Sequence, residues 1–448
     1  MNKRKISLFL AILFTLSVLL CSCSGSGGVM NGGGGFGGGY GGDYDYTMGE
    51  GSSPGGSVPE KAPSKEPESA DGTVDGDESD DTAAPEQTTR PAGLMTAGAW
   101  SDNDNYEFFK TLFDQGDGEN ERGKFNVYTG DNSWGFTSLK RIKVTVKNGD
   151  TFVAGAGVRA ESADGTLLFE AVTDAAGVAY LFTHENTGIV HVSSDTYTAG
   201  VDFTADTREL EISLDGSAEK KNVIDVMFVV DVTGSMGDEL SFLQNEIDDV
   251  INRVAEKHSD AVVNLALLFY RDKVDTEEFA YYDFKDVTDP VKLAEQKAVL
   301  NKQAATGGGD TPESVDEALE IAINKQWSSA ATTKLIFHVL DAPPHSDTAG
   351  QERYVSAVEA AAKKGIRICP ILCSGADTLT EYLTRQAAIY TGGTFIFVTD
   401  DSGIGNSHHD PSLPNVTVEA LNSMLVRLIS GYHSGSFDTP VDWRQEVK

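Results

Sequence analysis

Residues 223–235 have the sequence Val-Ile-Asp-Val-Met-Phe-Val-Val-Asp-Val-Thr-Gly-Ser. The apolar run that ends at Val230 is typical of a central parallel strand with both faces buried. Asp231 ends the run, and Leu240 and Leu243 then open an apolar stripe at helical spacing. This pattern predicts a strand, a turn that begins with an acid, and an amphipathic helix.

The same alternation of apolar strands and amphipathic helices continues along the chain. Strands are predicted at 262–270, 279–284, 334–340, 366–372 and 394–398, and helices near 290–304, 312–325, 350–364, 378–390 and 416–430. Strands that alternate with helices form parallel sheets with helices on both faces. The sequence therefore predicts an α/β fold with a doubly wound, mostly parallel sheet over residues 222–433, followed by a C-terminal tail at 434–448.

Oxygen-bearing side chains occur where ligands bind in such sheets, at the carboxyl ends of the strands. Thr233 and Ser235 lie in the turn that Asp231 begins, and Asp341 ends a second buried strand. The loop Gly307-Gly-Gly-Asp-Thr-Pro-Glu313 lies between these acids and enters a helix, where Pro and Glu are favoured first-turn residues. Carboxylate and hydroxyl oxygens suit Mg²⁺, although either hydroxyl has capping of the helix as an alternative role.

The segment Asp231-Val-Thr-Gly-Ser235 resembles the Asp-x-Ser/Thr-x-Ser signature of the von Willebrand factor A family, which forms a metal-ion-dependent adhesion site. That family normally takes a Thr ligand from the loop between the two acids. This chain has Asp310 at that place, with Thr311 next to it. The resemblance implies a Mg²⁺ site, with Mn²⁺ or Ca²⁺ as alternatives, formed by Asp231, Thr233, Ser235, Asp310 or Thr311, and Asp341. It also implies an open coordination position that binds a carboxylate of a partner protein. The extra negative charge of Asp310 would weaken that binding.

In residues 138–215 the apolar residues repeat with a period of two, and turn signals separate the short apolar runs. Such runs without helices predict a small antiparallel β-sandwich. The stretch 153–177 also resembles the carboxypeptidase regulatory-like, Ig-type modules of bacterial surface proteins, which implies a spacer or presenting role. Residues 95–137 are predicted to be a short pre-domain segment, with an amphipathic turn or short helix near residues 106–113.

The N-terminal residues predict export and a tether. Three basic residues at 3–5 precede the apolar run 6–20, which is too short to span a bilayer and indicates a signal peptide over residues 1–23. Leu20-Cys-Ser-Cys23 resembles a bacterial lipobox, which implies lipidation of Cys23; cleavage as an ordinary signal peptide is the alternative. Residues 24–94 are rich in glycine and then in acids and proline, so they are predicted to be a disordered linker.

Several functional classes are disfavoured by composition and motifs. The formal charge is −34, with 69 acidic and 35 basic side chains, so nucleic acid is not the expected partner. Because no phosphate-binding loop or nucleophile elbow is present, we expect neither nucleotide binding nor enzymatic activity. We favour a solvated loop over a zinc cluster formed by His345, His408, His409 and Asp410. We also favour the metal site over a catalytic triad of Ser235, His345 and Asp341.

The two cysteines after the signal, Cys369 and Cys373, lie four residues apart in one predicted strand. At ~3.3 Å per residue they would be about 13 Å apart, too far for a disulfide. Buried free thiols are therefore predicted.

These observations lead to one functional hypothesis and one alternative. The hypothesis is a protein that is lipid-anchored in the cell envelope, faces outside the cytoplasm, and binds an acidic residue of a partner protein through a divalent metal. The alternative is an envelope scaffold or assembly lipoprotein whose α/β domain makes protein contacts without metal.

Overall fold

The computed structural model describes residues 95–114, 123–130, 133–309, 311–329, 331–402 and 409–446. The predicted signal peptide, Cys23, the linker and Asp310 lie outside these ranges. Within the described ranges, no helix is both long enough and apolar enough to cross a membrane.

A large eight-stranded sheet contains six strands from residues 221–398, which the alternating sequence predicts, and two further strands from outside that range. In spatial order its strands are β12 (Phe279–Asp286), β11 (Val262–Tyr270), β10 (Lys221–Asp231), β13 (Ala331–Leu340), β14 (Arg367–Leu372), β15 (Phe395–Val398), β1 (Thr96–Trp100) and β16 (Glu419–Ala420). Neighbours from β11 to β15 pair in parallel, whereas β12, β1 and β16 pair antiparallel. The predicted α/β fold with a mostly parallel sheet is thus confirmed.

Helices cover both faces of this sheet, which explains why its central strands are apolar throughout. The helices are α1 (Tyr106–Thr111), α2 (Gly237–Lys257), α3 (Pro290–Leu300), α4 (Val315–Ile323), α5 (Thr348–Lys364), α6 (Thr378–Thr391), α7 (Leu421–Ser434) and α8 (Trp443–Glu446). Phe228 and Val230 of β10 pack in the core that includes α2, α3 and α7, and Met227 and Val229 pack in the core that includes α4, α5 and α6. Alternate residues of one strand therefore enter two separate cores.

Local capping signals set the ends of α5 and α6. Asp347 and Asp377 accept hydrogen bonds from the first-turn N–H groups of α5 and α6, respectively. Each helix ends at a left-handed glycine, Gly365 or Gly392, where φ is 67° or 69°. These caps place the start of both helices at the carboxyl edge of the sheet.

Residues 141–213 form two four-stranded sheets that share one core. The first contains β2 (Arg141–Asn148), β3 (Thr151–Phe152), β6 (Val178–Phe182) and β9 (Glu209–Ser213), and the second contains β4 (Gly157–Ser162), β5 (Leu167–Val172), β7 (Gly188–Ser194) and β8 (Tyr197–Phe203). All pairs are antiparallel except β2 with β9, which is parallel. The Phe182 ring stacks on Tyr390 of α6 with centroids 4.3 Å apart, so this module is packed onto the large-sheet domain.

The segment before the sandwich also belongs to the large sheet. In β1, Ala97 pairs with Val398 of β15, and Thr96 pairs with Ala420 of β16. The chain leaves the sheet after β1 and returns at β10. The sandwich strands are therefore inserted between two strands of the large sheet.

A buried charge network joins this N-terminal segment to α6 and to the loop after β15. The guanidinium of Arg385 donates to both oxygens of Asp102, at 2.6 and 2.9 Å, and to Glu381 at 2.9 Å. His409 Nε2 lies 2.7 Å from the other oxygen of Glu381. His409 is thus half-buried and paired with Glu381. The prediction that this position belongs to a solvated loop is therefore wrong for His409.

The contact between His409 and Glu381 predicts a pH-dependent stability. The hydrogen bond with Glu381 raises the pKa of His409 above 6.5. Although burial opposes it, the bonds from His409 and Arg385 lower the pKa of Glu381 below 4.5. The His409 contribution is complete below pH 6.5 and is lost as pH rises, whereas the Glu381 contribution is lost as pH falls below 4.5.

We therefore expect His409→Gln to lower the free energy of unfolding by about 1–3 kcal/mol between pH 4.5 and 6.5. Urea unfolding of both proteins across pH should show the difference shrinking as pH rises above that window. A difference that stays constant up to pH 9 would contradict a charged His409.

Candidate metal centre

Asp231 ends β10 at the carboxyl edge of the large sheet, and its carboxylate is buried. Its Oδ1 atom accepts hydrogen bonds from the Thr233 N–H at 2.9 Å and from the Thr233 hydroxyl at 2.7 Å. Its Oδ2 atom is buried with no hydrogen-bond partner among the described residues. An unpaired buried carboxylate oxygen is costly, so this atom indicates a place for a positive charge.

Asp341 lies at the same edge because it follows β13, the parallel neighbour of β10. Val230 pairs with Val339, so the two acids end adjacent strands. Ser235 lies close to Asp341 and lowers the pKa of its carboxyl group. The structure therefore brings together four predicted ligands: Asp231, Thr233, Ser235 and Asp341.

The glycine-rich loop packs directly against the turn after β10. Thr306 N–H donates to the Val232 carbonyl at 2.9 Å, and Gly234 N–H donates to the Gly307 carbonyl at 3.2 Å. Gly308 has a φ of +88°, and a Cβ atom there would lie 3.0 Å from Thr233 Cβ and 2.9 Å from Glu313 Oε1. Glycine is therefore required where the loop passes between these two side chains.

Glu313 is a buried acid of the candidate site that the sequence analysis does not include. It was expected in the first turn of a helix, but α4 begins at Val315, and Glu313 precedes the helix with its side chain buried. Its N–H donates to the Pro343 carbonyl at 3.1 Å, which ties it to the loop after Asp341. Its Oε2 atom has no hydrogen-bond partner among the described residues. An acid just before the apolar stripe of α4 was the available signal.

The loop position for which two ligands were predicted is only partly described. Asp310 lies outside the described residues. Thr311 is exposed and forms no described hydrogen bond with Asp231, Thr233 or Asp341. Among the described residues of this loop, Glu313 is the buried acid.

Burial, together with nearby acids, raises the pKa of all three carboxyl groups. Burial, and then the charge of Asp341, raises the pKa of Asp231 to about 7. Burial, and then the charges of Asp231, Asp272, Asp341 and Asp275, raises the pKa of Glu313 to about 9. Burial likewise raises the pKa of Asp341, although Ser235 lowers it. Like charges from three loops thus converge at one edge of the sheet.

The side chains of Arg271 and Asp275 hold the glycine-rich loop in this position. Arg271 follows β11, and its guanidinium donates to the carbonyls of Thr306, Ala304 and Glu277 at 2.9, 3.0 and 3.1 Å. The carboxylate of Asp275 accepts from the Gly308 N–H at 2.9 Å. The Arg271 guanidinium thus bonds to backbone carbonyls and not to the acids, and its charge lowers the pKa of Asp231 by less than burial and Asp341 raise it.

The residues present suit a hard divalent cation. Within the described ranges, His, Cys, Asp and Glu side chains do not form a group of three or more that could hold a metal. The predicted metal site also includes the hydroxyl oxygens of Thr233 and Ser235 as ligands. Its ligand set therefore does not consist of acids alone. The unpartnered oxygens of Asp231 and Glu313 are the kind of ligand that Mg²⁺ binds.

The weaker interpretations of this region do not match the observed contacts. His345 Nε2 pairs with Asp272 at 2.9 Å, and no described hydrogen bond joins His345 to Ser235 or Asp341, so these contacts do not form a triad. Cys369 and Cys373 are buried and free, as predicted.

A mostly parallel sheet with acids and hydroxyls at its carboxyl edge defines an α/β binding domain. Residues 225–399 match the family model of the von Willebrand factor A domain, and the observed fold agrees with this match. The chain therefore contains a von Willebrand factor A domain. The match covers less than half of the chain and leaves the inserted sandwich unassigned.

Two curated relatives match a limited part of the chain. The chain is 26% identical over 140 residues to a putative ariadne-like RING finger protein of Acanthamoeba polyphaga mimivirus, covering 31% of this chain and 13% of that protein. It is 26% identical over 123 residues to the alpha-protein kinase vwkA of Dictyostelium discoideum, covering 27% and 19%. The chain thus spans less than a fifth of either relative.

Comparison with solved structures gives matches of low similarity. The conserved hypothetical protein BatB from Bacteroides thetaiotaomicron has a TM-score of 0.33 and 13% identity, covering 47% of this chain and 98% of that one. The pilus adhesin SpaC from Lactobacillus rhamnosus GG has a TM-score of 0.33 and 10% identity, covering 55% and 32%. Similarity at this level does not transfer a function to this chain.

Proposed function

We propose that this chain is an exported protein that binds a partner protein through a divalent cation held by its von Willebrand factor A domain. The cation is held by Asp231, Thr233, Ser235, Glu313 and Asp341, with Asp310 or Thr311 as further candidates from the same loop. The observation that carries this proposal is a pair of buried carboxylates with unpartnered oxygens, Asp231 and Glu313, that come from separate loops.

Elementary electrostatics supports a cation at this position. Three carboxylates that are buried together repel one another, and each favours its neutral form until a positive charge is supplied. Hydroxyl and carboxylate oxygens are the ligands that Mg²⁺ prefers, and Mn²⁺ or Ca²⁺ is an alternative. When bound, the cation supplies a Lewis-acidic position that a carboxylate from outside can reach.

The charge of the centre sets the expected strength of partner binding. Three ionised carboxylates more than neutralise one divalent cation, and Asp310 would add a fourth charge. A partner's carboxylate therefore meets a centre with net negative charge. We expect weak, reversible binding to an acidic residue, strengthened by contacts elsewhere on the partner.

The predicted export signal and lipobox place this domain in the cell envelope. Lipidation at Cys23 would anchor the chain to a membrane, and residues 24–94 would link that anchor to the described domains. The sandwich packs on α5 and α6, through Phe182 with Tyr390 and Lys363 with Glu170 at 2.5 Å. The two described modules would therefore be presented together.

Metal dependence is tested by Asp231→Ala in the full-length chain. We expect Mg²⁺ to raise the melting temperature of the wild-type protein, because a ligand at 100 times its Kd stabilises the folded state by about 2.7 kcal/mol. The same titration should leave the melting temperature of Asp231→Ala unchanged.

Asp225→Asn is the matched control for this experiment. Asp225 is buried on the same strand but six residues before Asp231, where it accepts hydrogen bonds from Asn264 and Ser328. This variant should keep the response to Mg²⁺. Equal stabilisation of wild type and Asp231→Ala would refute a metal centre at this edge.

The alternative role, a scaffold with metal-independent contacts, makes a different prediction for partner capture. Envelope proteins retained on the immobilised chain should be released by EDTA if the cation holds them. Retention at full strength in EDTA would favour the scaffold.

A further inference from the structure

Glu239 is a buried acid that the proposed ligand set does not use. It lies in the first turn of α2, four residues after Ser235, and only about 2% of its surface is exposed. Its Oε1 atom accepts hydrogen bonds from the Ser374 hydroxyl at 2.9 Å and from the Ser374 N–H at 3.3 Å. Its Oε2 atom is buried and has no hydrogen-bond partner among the described residues.

The carboxylate of Glu239 lies beside the proposed centre. Ser374 belongs to the loop after β14, which is the parallel neighbour of β13. In the same loop, a Cβ atom on Gly375 would lie 3.9 Å from Asp341 Oδ2. Burial is the main cause of the raised pKa of Asp341, and the charge of Glu239 adds to it. Glu239 therefore acts electrostatically on a proposed ligand without an intervening cation among the described side chains.

The two bonds to Ser374 do not by themselves require a charged residue. A glutamine amide oxygen would accept both of them, and burying a neutral amide costs less than burying a carboxylate. An ionised group at this position needs a compensating positive charge, because a buried charge without a partner is strongly destabilising. The unpartnered Oε2 indicates that this charge is supplied from outside the chain.

We propose that Glu239 is an outer carboxylate of the metal centre, which raises the affinity of that centre for a divalent cation without being one of its direct ligands. This inference rests on the proposed function. It assigns to Glu239 a positioning and charge-balancing role, distinct from its role in holding the loop at Ser374.

Two substitutions separate the charge from the tie to the loop. Glu239→Gln keeps an acceptor for both Ser374 bonds and removes only the negative charge. Ser374→Ala removes the hydroxyl bond and keeps the carboxylate. Isothermal titration of Mg²⁺ into the full-length chain, with melting temperatures measured in EDTA, gives affinity and stability for each variant.

We expect Glu239→Gln to weaken Mg²⁺ binding by about 10-fold or more, the range found when outer residues of metal sites are changed. Ser374→Ala should lower the melting temperature in EDTA but keep Mg²⁺ affinity within about 3-fold. Glu239→Asp, which restores the charge, should bind Mg²⁺ more tightly than Glu239→Gln.

Each other outcome decides against the proposal. If Glu239→Gln binds Mg²⁺ as tightly as wild type, Glu239 has no part in the centre, while the proposed function stands. If Ser374→Ala loses as much affinity as Glu239→Gln, the residue acts only by holding the loop. If the wild-type chain binds no Mg²⁺, the metal centre itself is refuted, and this inference with it.

Discussion

Replacing Arg385 with alanine is expected to lower the free energy of unfolding by about 3–5 kcal/mol. The guanidinium is fully buried and bonds to the carboxylates of Asp102 and Glu381, which are also buried. Its removal would leave two carboxylates inside the fold without their cation, and only His409 to balance them. Urea unfolding in EDTA at pH 6 measures this loss without a contribution from metal binding.

Arg253→Ala is the control for this prediction. Arg253 pairs with Asp249 at 3.2 Å on the surface of α2, and such exposed pairs contribute about 0–1 kcal/mol. A loss from Arg385→Ala that is no larger than the loss from Arg253→Ala would show that the buried network is not needed for stability.

The Arg385 network also shows which part of the fold sequence patterns cannot reveal. The central strands were predictable because both of their faces are buried, so each appears as an apolar run. Strand β1 has the sequence Thr-Ala-Gly-Ala-Trp, with small residues and no clear periodicity. Its partner β15 lies about 300 residues further along the chain, and only the folded structure shows this pairing.

The candidate centre also contains some residues that the sequence predicts and one that it does not. Asp231 and Asp341 were predictable because each ends a buried strand, and parallel neighbours end at one edge. The role of Glu313 depends on the path of the glycine-rich loop, which Arg271 and Asp275 hold through contacts with backbone groups. Such contacts leave no periodic pattern in the sequence.

His409 illustrates the same limit for loops. Its surroundings are rich in Gly, Ser and Asp, a composition typical of solvated segments. The histidine nevertheless pairs with Glu381, which lies 28 residues earlier on α6. A composition argument describes the average residue of a loop, and it fails for the one residue that a distant side chain holds.

The second large effect is expected for Glu313→Gln, which should weaken Mg²⁺ binding by at least about 100-fold. Changes to outer residues of metal sites cost about 10–100-fold, so loss of a direct carboxylate ligand should cost more. Calorimetric titration of the full-length chain measures this affinity. Glu317→Gln is the control, because Glu317 lies on α4 and pairs with Arg353 instead of the buried acids. Unchanged affinity in Glu313→Gln would place Glu313 outside the centre.

The same substitution should change how the metal-free chain responds to pH. Glu313 has a pKa of about 9 in the folded chain and an ordinary value of 4.5, so the folded state keeps a proton that the unfolded state releases. The resulting stabilisation is complete below pH 4.5 and is lost as pH rises through 9. Between pH 7 and 9 in EDTA, wild type should lose roughly 2 kcal/mol more than Glu313→Gln. Parallel pH curves for the two proteins would show that the Glu313 carboxyl group is not buried among like charges.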